Sequence, residues 1–316
     1  DTPLLAVVAG EREAEDLVED VSLFLPDVSH LPAWETLPFE HVSPNVVTMG
    51  ARIRARHALE GASSAVVVAS VRAATQRFSP SPVEPLVLTV GDEAGFDTVV
   101  ARLVELGYHR TDRAEARGDM AVRGGIVDVY PPDAAHPFRI DFWGDDIESL
   151  RTYSASSQRS IEAIDTVAVF PARELLIDEA VIARAEELRI DAPWASDTWD
   201  RFAEGITFQG MESWLPWLAP PRTVIDAAHG PVVVFDPVRC ADRAADLISE
   251  EADLAAALAG TWGAGAPEAG EHPPLYLPFD TAAVDDRVLL APPQAAGPGD
   301  DGYEVRGLDA VAGDPE

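Results

Sequence analysis

Carboxylates, arginines and one tryptophan are the side chains of this sequence whose placement could do chemistry. Asp236 ends the apolar run Val232-Val-Val-Phe235, where a nucleotide-binding fold keeps the aspartate that holds magnesium beside phosphate. Pro237 follows it instead of a second acid, and all 23 basic residues of the chain are arginine. A phosphate-binding loop needs a lysine to reach the β- and γ-phosphates. An intact loop of that kind is therefore excluded from these 316 residues, and Asp236 reads as a turn former at a strand end. Asp145, Asp146 and Glu148 offer oxygen ligands for a metal, but acids in a tight turn between strands are ordinarily solvated. The seven histidines are scattered without the i, i+4 spacing of a zinc set, and no Gly-x-Ser-x-Gly elbow anchors a hydrolase triad. The single cysteine, Cys240, excludes an internal disulfide and reads as a small core residue at a helix end.

The stretch 117–159 says more. Its β-rich runs, bounded by Gly, Pro and Asp, predict consecutive antiparallel strands. Side chains alternate along a strand, so Phe138, Ile140 and Phe142 share a buried face while Arg139, Asp141 and Trp143 share the face toward water. A solvated face that carries an indole beside an arginine has the composition of a protein–protein hot spot. Arg123 joins that face if its strand lies alongside. The alternative is that Trp143 packs under a loop or covers a sheet edge. Arg117-Gly-Asp119 matches an adhesion tripeptide, but three residues match easily by chance.

The elements that must position these residues fall into three stretches. Leu4–Ala9, Val28–Leu31 and Ala65–Ser70 read as strands, with helices over about 11–23, 49–59 and from 71. Near-continuous apolar strands alternating with helices predict a doubly wound α/β layer. The loop 32–44, with Trp34, Phe39 and several prolines, is expected to be ordered, because its aromatics need somewhere to pack. Pro80, Pro82 and Pro85 mark a boundary, followed by a strand at 86–90, a helix over about 93–106 and Gly107 as its C-cap. Past 168, the reading is a helix at 181–188, core aromatics on short helices (Trp194, Trp199, Phe202, Phe208, Trp214, Trp217), strands at 223–227 and 232–236, and a helix at 238–258. Residues 260–274 and 291–302, rich in Gly, Ala and Pro, read as loops.

Fifty-five acids against 23 bases give a net charge of −32, which repels phosphate backbones and opposes direct nucleic-acid binding by this segment. No run approaches the ~20 apolar residues of a membrane span, and no charged-then-apolar leader opens the chain, so a cytoplasmic protein is expected. A start on Asp1 suggests a piece of a longer protein.

The 117–160 stretch resembles the second domain shared by the excision-repair protein UvrB and the transcription-repair coupling factors. The resemblance rests on Arg123-Gly124, Ile126-Val-Asp-Val-Tyr-Pro131, Arg139-Ile-Asp-Phe-Trp143, Gly144-Asp-Asp-Ile-Glu148 and Ser157-Gln-Arg-Ser160. Trp34-Glu-Thr-Leu-Pro38 followed by Ser43-Pro44 is typical of the coupling factors and not of UvrB, which tips the choice. The resemblance is strong at 31–44 and 117–160 and weak after 220. It implies a degenerate helicase-like (RecA/P-loop-type) α/β domain in two chain segments, 1–85 and 168–316, with a smaller α+β UvrA-binding domain, 86–167, inserted. By position, Arg123, Arg139 and Trp143 match the family's UvrA-contacting residues, Trp standing where relatives often have Phe, and Asp141 lies among them. The resemblance further implies that RNA polymerase and DNA are bound through other domains, and that ATP and magnesium serve a translocase outside this segment, in which no cofactor or catalytic motif is expected. A UvrB-type nucleotide-dependent helicase relative and an unrelated α/β enzyme are the alternatives.

Overall fold

A computed structural model describes residues 2–61, 65–79, 81, 83–261, 265–268, 270–279 and 287–290. The loop expected at 291–302 and the prolines at 80 and 82 lie outside them. The chain opens with β1 (Leu4–Val8), α1 (Glu11–Ser22), β2 (Val28–Leu31), α2 (Val46–Glu60), β3 (Val66–Ser70) and the short α3 (Val71–Thr75). α2 begins three residues before the expected Met49, because the Asn45 side chain accepts the Val47 N–H and caps it there.

The middle stretch runs β4 (Leu86–Thr89), α4 (Phe96–Glu105), β5 (His109–Thr111), β6 (Asp119–Arg123), β7 (Ile126–Val129), β8 (Phe138–Trp143), β9 (Asp146–Tyr153), β10 (Ser160–Ile164) and β11 (Thr166–Val169). Then come α5 (Glu179–Asp191), α6 (Ser196–Ala203), α7 (Leu215–Leu218), α8 (Val224–Ala227), β12 (Val232–Phe235), α9 (Pro237–Leu258) and β13 (Arg287–Leu290). α8 corrects the strand expected at 223–227. Asp226 accepts the backbone N–H of Thr223 at 2.7 Å, a capping-box contact that closes a helical turn instead.

Mixed α/β architecture follows: among the described residues there is a parallel sheet, a mainly antiparallel sheet and a two-stranded antiparallel ribbon. The parallel sheet has the order β13-β12-β1-β3-β2, so its strands come from both ends of the described chain. Leu5, Val7, Val67 and Ala69 face α2, α3 and α9 on one side, while Ala6, Val8 and Val68 face α1 on the other. Helices on both faces explain why these strands are apolar without alternation. Cys240, near the start of α9, is buried in the first of these layers. Among the described residues no helix is long and apolar enough to cross a membrane.

The second sheet has the order β10-β9-β8-β7-β6-β5, antiparallel except where β5 runs parallel to β6. β11 pairs back onto β4, so the last strand of this stretch meets the first and straddles residue 167. Val99 and Leu103 of α4 pack on Val127, Val129, Ile140 and Phe142 to make its core. Each such side chain contributes about 1.5–3 kcal/mol when fully buried.

A third layer, helical and aromatic, holds Trp199 and Phe202, both fully buried, with Trp194, Trp214 and Trp217 packed against them. The loop 32–44 docks here. Trp34 is buried and donates Nε1–H to Glu174, whose carboxylate also takes Nε of buried Arg52 at 2.8 Å. Next along the chain, Arg173 pairs with the fully buried Glu212 at 2.6 Å, and Ser43 Oγ donates to the same carboxylate. Gly210 has φ +83, and a Cβ there would lie 1.9 Å from the carbonyl oxygen of His41. Only glycine fits.

Candidate interaction surface

Alternation along β8 is as the sequence reads: Ile140 and Phe142 enter the core, and Arg139, Asp141 and Trp143 point the other way. β6 is not the neighbour of β8, however; β7 lies between them. The register sets Asp128 of β7 opposite Arg139 on one side and Ala121 on the other. Asp128 thereby becomes the bridge between two arginines that belong to strands that do not pair.

Its geometry is tight. Arg139 donates Nε to one carboxylate oxygen at 2.6 Å and Nη2 to the other at 2.8 Å, while Arg123 Nη2 reaches the second oxygen at 2.6 Å. Such forked, charge-assisted bonds are the stronger kind. Asp128 is 1% exposed, so both guanidiniums satisfy a charge that is out of water. Beneath them the guanidinium carbon of Arg139 sits 4.5 Å from the ring centre of Tyr153, a cation–π stack. The hydrogen bonds that Arg139 donates to Asp128 raise its pKa above the ordinary value, against the effect of partial burial. Burial first, and then the Asp128 charge, push the Tyr153 phenol well up, so it stays protonated and donates to the Ala114 carbonyl at 3.1 Å.

Asp141 is engaged elsewhere. It accepts Ser149 Oγ at 2.6 Å and pairs with Arg151 at 2.7 Å, both on β9. The β8–β9 ladder shifts register between Asp141 and Phe142, a bulge of the kind that re-aims a side chain at a strand end. Beyond it Trp143 stands 77% exposed, packed under no loop among the described residues. The adjoining turn is fixed: Gly144 takes φ +65, the Asp145 side chain accepts the Phe96 N–H at 3.2 Å, and its carbonyl accepts those of Ala94 and Gly95. Asp145 thus caps α4.

Of the residues expected to act together, Arg123 and Arg139 meet through Asp128, Asp141 belongs to an adjacent pair, and Trp143 projects from the end of the same face. Asp128 entered from sequence only as a member of the Ile126–Pro131 motif, and Arg151 and Tyr153 were not singled out. A lone acid inside the apolar strand Ile126–Val129 was the signal for the first of them. At the other candidate, Asp236 takes φ +48 and accepts the Arg239 N–H, capping α9. The arrangement has the means to hold a partner protein by an indole beside preset guanidiniums.

Residues 86–175 match the family model of the UvrB interaction domain. The transcription-repair coupling factor of Mycobacterium tuberculosis is 46% identical over 270 residues, 78% of this chain and 22% of that protein. That of Myxococcus xanthus is 34% identical over 276 residues, 79% of this chain and 23% of that protein. UvrABC system protein B of Thermosipho africanus is 27% identical over 177 residues, 55% of this chain and 27% of that protein. The chain spans about a fifth of the length of the coupling factors it matches. It is therefore a homologue of one region of the transcription-repair coupling factor family, built around a UvrB interaction domain at residues 86–175.

Proposed function

We propose that this chain is the N-terminal module by which a transcription-repair coupling factor recruits UvrA to RNA polymerase stalled at DNA damage. The observation that carries the reading is Trp143, a large indole left exposed at the end of a strand of the matched domain, beside guanidiniums fixed by a buried acid. Arg123 and Trp143 are the groups offered to UvrA; Arg139 and Asp141 shape the surface between and beneath them. The parallel layer is a helicase-like domain stripped of nucleotide chemistry, split by the inserted domain into segments 1–85 and 168–316. Its two-segment sheet and the absence of lysine support that description. RNA polymerase, DNA, ATP and magnesium belong to the remaining four-fifths of such a cytoplasmic protein, an ATP-driven translocase.

The test is binding of the 316-residue chain to UvrA, wild type beside Trp143→Ala. Saturable binding by the wild type, weakened in the folded variant, is expected. A folded wild-type chain that ignores UvrA would end the proposal. Titration with ATP and magnesium separates off the UvrB-type alternative, for which this chain itself would bind nucleotide.

A further inference from the structure

We infer that Asp128 is the positioning residue of this surface: its buried carboxylate presets Arg123 and Arg139 in the geometry that a partner meets. The inference rests on the UvrA reading and deepens it. Asp128 is the only charged residue of β7, and its neighbours Val127 and Val129 are in the core. A carboxylate out of water persists only when its oxygens are satisfied, and here two oxygens accept three hydrogen bonds from two strands. The side chains divide the work. Arg139 is 14% exposed, with Nε and Nη2 turned toward Asp128 and its plane on Tyr153, whereas Arg123 is 45% exposed with one nitrogen tied down. Long arginine side chains lose rotamer freedom when a partner orders them, and a group that orders them beforehand removes that loss. Asp128 touches no partner itself. It acts through the two arginines.

Asp128→Asn keeps the shape and removes the charge; an amide cannot accept all three bonds, and its NH2 would face donors. In the folded variant UvrA affinity is expected to fall at least about tenfold. Arg123→Ala should then cost much less in the Asp128→Asn background than in the wild type, while Trp143→Ala costs the same in both. Unchanged affinity in folded Asp128→Asn overturns the inference. Additive losses for Asp128→Asn and Arg123→Ala overturn it too, because a general loosening of the domain would add. Should Asp128→Asn not fold, Arg139→Lys keeps the charge and loses the fork: a similar loss is expected, and wild-type affinity counts against positioning. A readout without UvrA keeps the two proposals apart. The Arg139 Nε–H is expected to exchange slowly with solvent in the wild type and in Trp143→Ala, and rapidly when Asp128 is changed. Slow exchange in all three overturns the positioning role alone, whereas absence of UvrA binding by the wild type overturns the UvrA reading.

Discussion

The indole nitrogen of Trp34 and the carboxylate of Glu174 lie 2.7 Å apart, joining positions 140 residues distant in sequence. Both side chains are buried, and Arg52 shares the same carboxylate. A proline-rich loop, a helix of the parallel layer and the C-terminal end of the UvrB interaction domain are fastened at one point.

Trp34→Phe keeps an aromatic ring but removes the N–H and part of the buried indole volume, and is expected to cost about 1–2 kcal/mol of stability. Glu174→Gln leaves Arg52 buried without its counter-charge and should cost more, about 3 kcal/mol. Urea unfolding reads both. Equal effects would show that the ion pair adds nothing beyond the indole contact.

Trp143 and Arg139 should separate in a way that their shared face does not suggest. Trp143→Ala removes an exposed side chain, so stability should stay within about 0.5 kcal/mol, while UvrA affinity falls by about 2 kcal/mol. Arg139→Ala leaves Asp128 with one partner and should destabilise by about 3 kcal/mol as well as weaken binding. Melting temperatures beside binding isotherms decide it. Matching stability losses in both variants would make Trp143 structural.

At Gly210 a methyl group would meet the His41 carbonyl, in a backbone conformation with φ +83. Gly210→Ala is expected to cost about 1–2 kcal/mol for the left-handed conformation alone, and more for the clash. Limited proteolysis should then cut within 32–44, which the wild type protects. Resistance equal to the wild type would mean that the loop is held elsewhere.

Burial pushes the Cys240 thiol up from 9.0 to about 12, with the charges of Asp236 and Glu13 acting the same way. The raised value favours the protonated thiol in the folded chain. Its contribution to stability is therefore complete below pH 9 and is lost as pH rises toward 12. Iodoacetamide at mildly alkaline pH should label the unfolded chain in urea and spare the native one, and Cys240→Ala should flatten the alkaline decline. Rapid labelling of the native chain would contradict the burial.

Much of this was legible in the sequence because period-2 alternation is a local property. Ile140, Phe142 and Trp143 fell on the faces that alternation assigns them. Asp128 was not legible as a bridge, because its role depends on β7 lying between β6 and β8, and strand order is written in no short stretch of residues. The Trp34 loop declared its need for a packing site but not which site, since Glu174 is distant in sequence. The strand expected at 223–227 failed for a local reason: Thr223 and Asp226 have the spacing of a helix start, and that outweighed an apolar Val-Ile pair.

Arg173 and Glu174 are consecutive, yet one is tied to Glu212 at 2.6 Å and the other to Arg52 at 2.8 Å, on separate elements. The UvrB interaction domain is thus bolted at its C-terminal end from two sides instead of hanging on a tether. Rotating it in either direction draws a charge off its mate in a water-poor interior, so small tilts are resisted and a large one needs both bolts to re-form elsewhere. A joint of this construction gives whatever turns it a threshold to overcome.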